Sequence, residues 1–153
     1  MKKILPTLVL SALLVGCTTT SDYGNFANHE QKNYYGHIQR ISDDTVAKLE
    51  DVFPPAHTKL QLLQVTTNSK KAENDVFGVL LAKGLRTKGY PTLEKQDVRD
   101  DDFYPVSYVL KNGKGTPAVY EVVIYVGKYC LARVYQVSKT GDLEPVSAWT
   151  LRS

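Results

Sequence analysis

Gly127-Lys128 separates two runs dominated by β-branched and aromatic residues, Val119 to Val126 and Tyr129 to Ser138. A two-residue connection with glycine first is the chemistry of a type II′ hairpin turn, whose twist matches that of the strands it joins. The chain must fold back on itself here as antiparallel neighbours. The same logic extends the sheet both ways. Upstream, Val106, Tyr108 and Leu110 alternate with Ser107 and Lys111, and Asn112-Gly113-Lys114-Gly115 has turn chemistry. Downstream, Thr140-Gly141-Asp142 turns the chain into a last strand, Leu143 to Leu151, which Pro145 assigns to a sheet edge. The last third therefore reads as an antiparallel meander.

The middle of the chain has helical periods. Ser42 is a good N-cap, Asp43 and Asp44 suit the positive end of a helix dipole, and Val46, Leu49, Val52 and Phe53 form one stripe. Pro54-Pro55 stops that helix. A one-sided strand is predicted over Thr58 to Thr66, with Leu60, Leu62 and Val65 alternating against Lys59, Gln61 and Gln64 and with Leu63 as the departure. The second helix takes Asn68-Ser69 as its cap and Ala72, Val76, Phe77, Leu80, Leu81 and Leu85 as its apolar face. Gly89 suits the left-handed position after its end, and Pro91 lies beyond. Gly78 and Gly84 within it each cost about 1 kcal/mol relative to alanine, which predicts close packing on a sheet. A short strand is read over Tyr90 to Lys95. Helices early and strands late give an α+β fold, with two helices on one face of a mostly antiparallel sheet.

The N-terminus sets the compartment. Lys2 and Lys3 precede an apolar stretch, Ile4 to Val15, that is shorter than the roughly 20 residues a spanning helix needs. It ends in Leu14-Val15-Gly16-Cys17, the pattern of a bacterial lipobox. Cleavage is expected between Gly16 and Cys17, with diacylglyceryl and N-acyl chains on Cys17 as the membrane contact. Each buried CH₂ contributes about 0.8 kcal/mol, so two or three chains hold stably. Thr18 in place of aspartate after Cys17 favours the outer membrane, with the domain facing the periplasm. The expected organisation is a signal peptide over 1–16, a lipidated flexible tether over 17–40 and a single α+β domain over 41–153. With Lys2 and Lys3 removed, the formal charge falls from +3 to about +1, so direct nucleic-acid binding is not predicted.

The search for chemistry finds no catalytic residue. His29, His37 and His57 have no metal-ligand spacing, and no nucleotide or hydrolase motif occurs. Asp97 and Asp100-Asp101-Asp102 read as a solvated acidic loop, since no glycine turn sits among them as calcium loops require. A Glu121–Arg133 cross-strand pair is predicted across the Gly127-Lys128 hairpin, as an ordinary sheet contact. No metal, no cofactor and no enzymatic activity are expected. With Cys17 lipidated, Cys130 lacks an intramolecular partner; the readings are an inert strand thiol, an intermolecular disulfide or, least supported, a nucleophile. Tyr104, Tyr108, Tyr120, Tyr125, Tyr129 and Tyr135 crowd the meander, as strand formers or as an interface. Tyr23, Phe26, Tyr34 and Tyr35 in the tether, with Trp149 near the C-terminus, are the candidate partner contacts.

A set of ordered strings resembles one family. The lipobox, Tyr23-Gly24-Asn25-Phe26, Phe53-Pro54-Pro55-Ala56, the Leu60 strand, Phe77-Gly78, and Leu85-Arg86 through Gly89-Tyr90 are similar to the TrbH conjugal-transfer lipoproteins. So are Pro105-Val106-Ser107-Tyr108-Val109-Leu110, Val126-Gly127, Leu131, Arg133, Tyr135 and Pro145-Val146-Ser147-Ala148-Trp149, so the resemblance spans nearly the whole chain. It implies a structural or assembly role in mating-pair formation by a conjugative type IV secretion system, alongside other proteins of that apparatus. It carries over no catalytic residue. The rival reading is a lipid-anchored periplasmic module that binds peptidoglycan or a small ligand.

Overall fold

A computed structural model describes residues 29–63, 75–94, 101–113 and 115–153. In these stretches lie two helices, α1 (His29–Val52) and α2 (Val76–Thr87), and a 3-10 turn at Pro55–His57. The strands are β1 (Leu60–Leu62), β2 (Thr92–Leu93), β3 (Tyr104–Gly113), β4 (Val119–Val126), β5 (Tyr129–Val137), β6 (Leu143–Pro145) and β7 (Thr150–Arg152). They form one sheet in the order β2-β1-β3-β4-β5-β6, with β7 sharing the outer edge of β5. β1 runs parallel to both β2 and β3, and the other pairings are antiparallel. This is the expected α+β architecture.

The hairpin logic holds at β4 and β5. Val126 pairs with Tyr129, and Gly127 has φ +56° while among the described residues none other than glycine has positive φ. That combination suits a type II′ turn and excludes type I′, which needs positive φ at both central residues. Gly141 also turns with positive φ, at +90°. Two strand expectations need correction. Asn112 and Gly113 belong to β3, paired with Tyr120 and Val119, so the turn lies after them. The last strand is split, because the chain leaves the ladder after Pro145 and returns at Thr150. In the gap, the Ser147 hydroxyl takes over as acceptor for the Val134 N–H at 2.9 Å.

β1 is not one-sided: Leu60, Gln61 and Leu62 are all buried. It lies between β2 and β3, and strands in the parallel part of a sheet are covered on both faces. The first helix begins at His29 rather than at Ser42, so residues 29–40, expected within the tether, are helical. Local propensity there is poor, but Ile38 and Ile41 continue the buried stripe of Val46 and Leu49. Tertiary packing, which supplies most helix stability, extends the helix. Residues 17–28 of the expected tether, and the signal peptide, lie outside the described residues.

α2 starts at Val76 under Asp75, whose Oδ1 accepts the Gly78 N–H at 2.8 Å. The expected Asn68-Ser69 cap and Ala72 lie outside the described residues. At the far end, Tyr90 N–H donates to Leu85 C=O and Gly89 N–H to Arg86 C=O, at 3.1 and 2.9 Å. That is a Schellman motif, with Gly89 at φ +85° as the left-handed residue. Tyr90 then donates its hydroxyl to the Phe53 carbonyl at 2.6 Å, tying the ends of the two helices together.

Both helices pack on one sheet face. Ile38, Ile41, Val46, Leu49, Phe77, Leu81 and Leu85 meet Val106, Val122, Ile124, Val126 and Leu131 in a single core. Burying such a side chain contributes about 1.5–3 kcal/mol. The two internal glycines permit this closeness. A Cβ at Gly78 would overlap the Tyr108 hydroxyl of β3, so that glycine packs on the sheet as expected. A Cβ at Gly84 would lie 2.8 Å from Val46 Cγ2, so that glycine serves the helix–helix contact instead.

α1 runs along the sheet in the direction of β4. Tyr34 and His37 lie beside Tyr120 at the start of β4, and Phe53 lies edge-on to Tyr129 just past its end. The domain thus has two poles, one where α1 begins and one at the Gly127-Lys128 hairpin.

Replacing Gly84 with alanine gains about 1 kcal/mol of helix propensity but overpacks the contact by about 1–3 kcal/mol. Net destabilisation is expected. In a double-mutant cycle with Val46→Ala, the two changes should couple by about 1 kcal/mol or more. Additive denaturation midpoints would show that the helices do not meet there.

Candidate functional site

The densest polar constellation in the described residues is centred on Asp44, in the second half of α1. Its Oδ2 accepts hydrogen bonds from Arg133 Nη1 at 2.8 Å, Tyr135 Oη at 2.5 Å and Trp149 Nε1 at 3.2 Å. Arg133 Nε donates to the Ser147 carbonyl at 3.0 Å. The guanidinium also lies 5.7 Å from the centroid of the Tyr135 ring and 5.8 Å from that of Trp149. Its side chain is only 19% exposed. One carboxylate thereby joins α1, β5 and the segment leading into β7.

The predicted Glu121–Arg133 pair does not form. Glu121 stands opposite Val134, and Arg133 stands opposite Val122. A one-residue offset places side chains on opposite faces of a sheet. Arg133 therefore points under the helices to Asp44, while Glu121 pairs across β3 with Lys111 at 2.9 Å.

This arrangement is a clamp. Three donors converge on one carboxylate oxygen, and a guanidinium does not give up its proton. Burial first, then the bond to Asp44, pushes the Tyr135 phenol well above its ordinary range, against a smaller opposing effect of Arg133. The phenol stays neutral and donates. A second joint repeats the pattern: Tyr108 donates to Asp75, the cap of α2, and burial with that bond raises its phenol too. Among the described residues, no three His, Cys, Asp or Glu side chains gather as a metal ion would require.

The candidate contact residues are dispersed. Gly16, Cys17, Tyr23 and Phe26 lie outside the described residues. Tyr34 and Tyr35 are 43% and 46% exposed on the first turns of α1, with the Tyr34 ring 6.5 Å from that of Tyr120. Trp149 is half-buried in the clamp, some ten residues further along α1, or about 15 Å. His37 is nearly buried and donates from Nε2 to the Gly141 carbonyl at 2.9 Å. His57 is exposed on the 3-10 turn. Asp97 and Asp100 lie outside the described residues, and Asp102 pairs with Lys59 at 3.5 Å.

A further surface is defined by strand register. Register places Val109, Val123 and Ala132 in one row on the sheet face away from the helices, with Ser107, Tyr125 and Cys130 in the next. Glu121 and Val134 form the row beyond, and Tyr125 is 45% exposed. Cys130, the free thiol, is half-buried between Tyr125 and Arg152. The sequence hinted at such a face through the meander tyrosines and the nearly unbroken apolar run of β4; of those tyrosines within the strand pairings of β3 to β5, Tyr125 lies on this side and Tyr108, Tyr120, Tyr129 and Tyr135 on the other.

Removing the Asp44 carboxylate strands a buried guanidinium and two further donors. Asp44→Ala is expected to cost about 2–4 kcal/mol, less than for a fully buried pair because the site is partly open to solvent. Trp149, the one tryptophan, would move to a wetter environment, so its emission should shift to the red. An unchanged melting curve and spectrum would exclude the clamp.

The tyrosines predict an alkaline limit. Burial, with Glu50 adding to it, raises Tyr90 to about 12; Tyr108 and Tyr135 rise further and Tyr120 rises as well. A raised phenol favours the folded state fully below its unfolded value, near 10, and loses that contribution as pH climbs through the folded value. Stability should therefore decline between about pH 10 and 12. Absorbance at 295 nm should show these phenols ionising together with loss of the fold; their ionisation in an intact fold would contradict the burial argument.

Neither a curated protein nor a solved structure matches the chain. The family described as "Conjugal transfer protein TrbH" matches over residues 20–153, a stretch that takes in every strand and helix above. The chain belongs to the TrbH family of conjugal transfer proteins.

Proposed function

We propose that this protein is an outer-membrane lipoprotein with a structural role in assembling the mating-pair formation apparatus of a conjugative type IV secretion system. The observation that carries the reading is the family match, which opens at residue 20, just past Cys17 of the lipobox. A conjugal-transfer domain behind a lipid attachment signal is what an anchored component of such a machine requires. Among the described residues no helix is long and apolar enough to cross a membrane. In this reading attachment rests on the acyl chains of Cys17.

The polar chemistry supports a scaffold. Asp44, Arg133, Tyr135 and Trp149 are engaged with one another, which makes the domain rigid. Rigid domains held near one another by a membrane assemble through modest contacts, since confinement raises their effective concentration. Tyr34 and Tyr35, exposed on the first turns of α1, with Tyr23 and Phe26 upstream, remain the contacts we assign to the apparatus.

Cys17→Ser should shift the protein from the membrane to the soluble fraction. It should also lower plasmid transfer by about tenfold or more, as confinement is lost. Normal transfer by the soluble form would exclude an essential anchor. A mild-detergent pull-down from donor cells should recover secretion-core proteins of the outer membrane. Bait alone, from cells proven to conjugate, would turn the reading toward a ligand-binding module.

A further inference from the structure

We infer that the helix-free face of the sheet is a self-association surface on which a second copy of this chain docks, sheet against sheet. Among the described residues the helices cover one face only; at β1 the other face is closed as well, with Gln61 buried, so its open part runs from β3 to β7. On the other, Val109, Val123 and Ala132 form one cross-strand row, and Tyr125 and Cys130 sit beside it. Val134 and Val119 extend the apolar surface toward the other end of β4 and β5. An antiparallel sheet with one face in water normally alternates apolar inward and polar outward. β4 departs from that rule: its outward positions are Val119, Glu121, Val123 and Tyr125, with a single charge among them.

The charges on this face favour a copy over an acidic or a basic partner. At the described positions of β3 to β7 they are Lys111, Glu121, Glu144 and Arg152, two of each sign. Lys111 and Glu121 already neutralise one another at 2.9 Å. Glu144 and Arg152 remain, at opposite ends of the β5 edge. A surface with no net charge meets its own duplicate without like-charge repulsion, and it offers little to select a strongly charged protein.

Size and symmetry agree. Four strand positions of eight residues give a flat footprint of roughly 500 Å² per copy, so two copies reach the roughly 1,000 Å² that a specific interface needs. An interface between copies closes about a two-fold axis. One point rests on the anchored reading: two copies share one membrane only if that axis runs along the strands. The two α1 N-termini then stay at the same pole. Stacked sheets lie about 10 Å apart, which brings the Cys130 thiols of the two copies within reach of a short bismaleimide.

The test uses the full lipidated chain in its own membranes. Cys130 is then the single free thiol, because Cys17 is a thioether. A short bismaleimide should give a species of twice the monomer mass, carrying only peptides of this chain around Cys130. Cys130→Ser should abolish it. Val123→Glu and Ala132→Glu should each reduce it about tenfold or more by burying a charge in the contact. Trp149 emission, which reports the clamp on the opposite face, should stay unchanged on the same variants and so exclude misfolding. Sedimentation of the detergent-solubilised chain should report a dimer that Val123→Glu splits. A crosslinked species of any other composition would mean that a different protein covers the face, and would overturn the proposal. So would a monomer in both measurements. Failure of the anchored reading shows separately, as wild-type protein in the soluble fraction and as a crosslinked species that survives Cys130→Ser through Cys17.

Discussion

The Asp44 carboxylate is the joint on which the assembly of this domain turns. It lies in the second half of α1, yet its partners come from β5 and from the last segment of the chain. Without it, a guanidinium would be buried against two aromatic rings with only the Ser147 carbonyl as its acceptor. Desolvating such a cation costs several kcal/mol, so Arg133 under the helices requires an anion at this place. The carboxylate in turn fixes the rotation of α1 about its own axis. Its apolar stripe then faces the core, and its first turns lie over Tyr120.

The second constraint is the depth to which α2 sinks. Asp75 caps the helix through one oxygen and receives the Tyr108 hydroxyl on the other. Tyr108 occupies the volume that a side chain at Gly78 would fill, and Val46 occupies much of that at Gly84. The helix gives up propensity at two positions and gains contact with the sheet on one side and α1 on the other. Surface ion pairs such as Glu50–Lys88, at 2.7 Å between the helices, add at most about 1 kcal/mol each.

These joints explain why the helical side of the domain is rigid and chemically quiet. The polar groups of the clamp and of the Asp75 cap are engaged with one another, and the phenols of Tyr108 and Tyr135 are held neutral. Among the described residues, the exposed apolar groups include Tyr34 and Tyr35 near the start of α1 and Val119 and Tyr125 on the sheet face turned away from the helices.

The strand segments were legible in the sequence where turn chemistry is local. Gly127-Lys128 and Gly141 set the β4–β5 and β5–β6 connections, because only glycine takes their backbone angles without strain. Gly89 marked the end of α2 for the same reason. The start of α1 was not legible, since residues 29–40 are helical through contacts with Tyr120 and Gly141, far along the chain. Nor was the partner of Arg133: it depends on whether the residue faces the helices, and that turns on a one-residue difference in register. Asp44 read as a helix-dipole residue because its partners lie about ninety positions away. By itself the sequence determined the glycine turns and the α+β class, both carried by neighbouring residues. The tertiary structure decided the clamp, the packing partners of Gly78 and Gly84 and the apolar face turned away from the helices, because these arise only when distant segments share one surface.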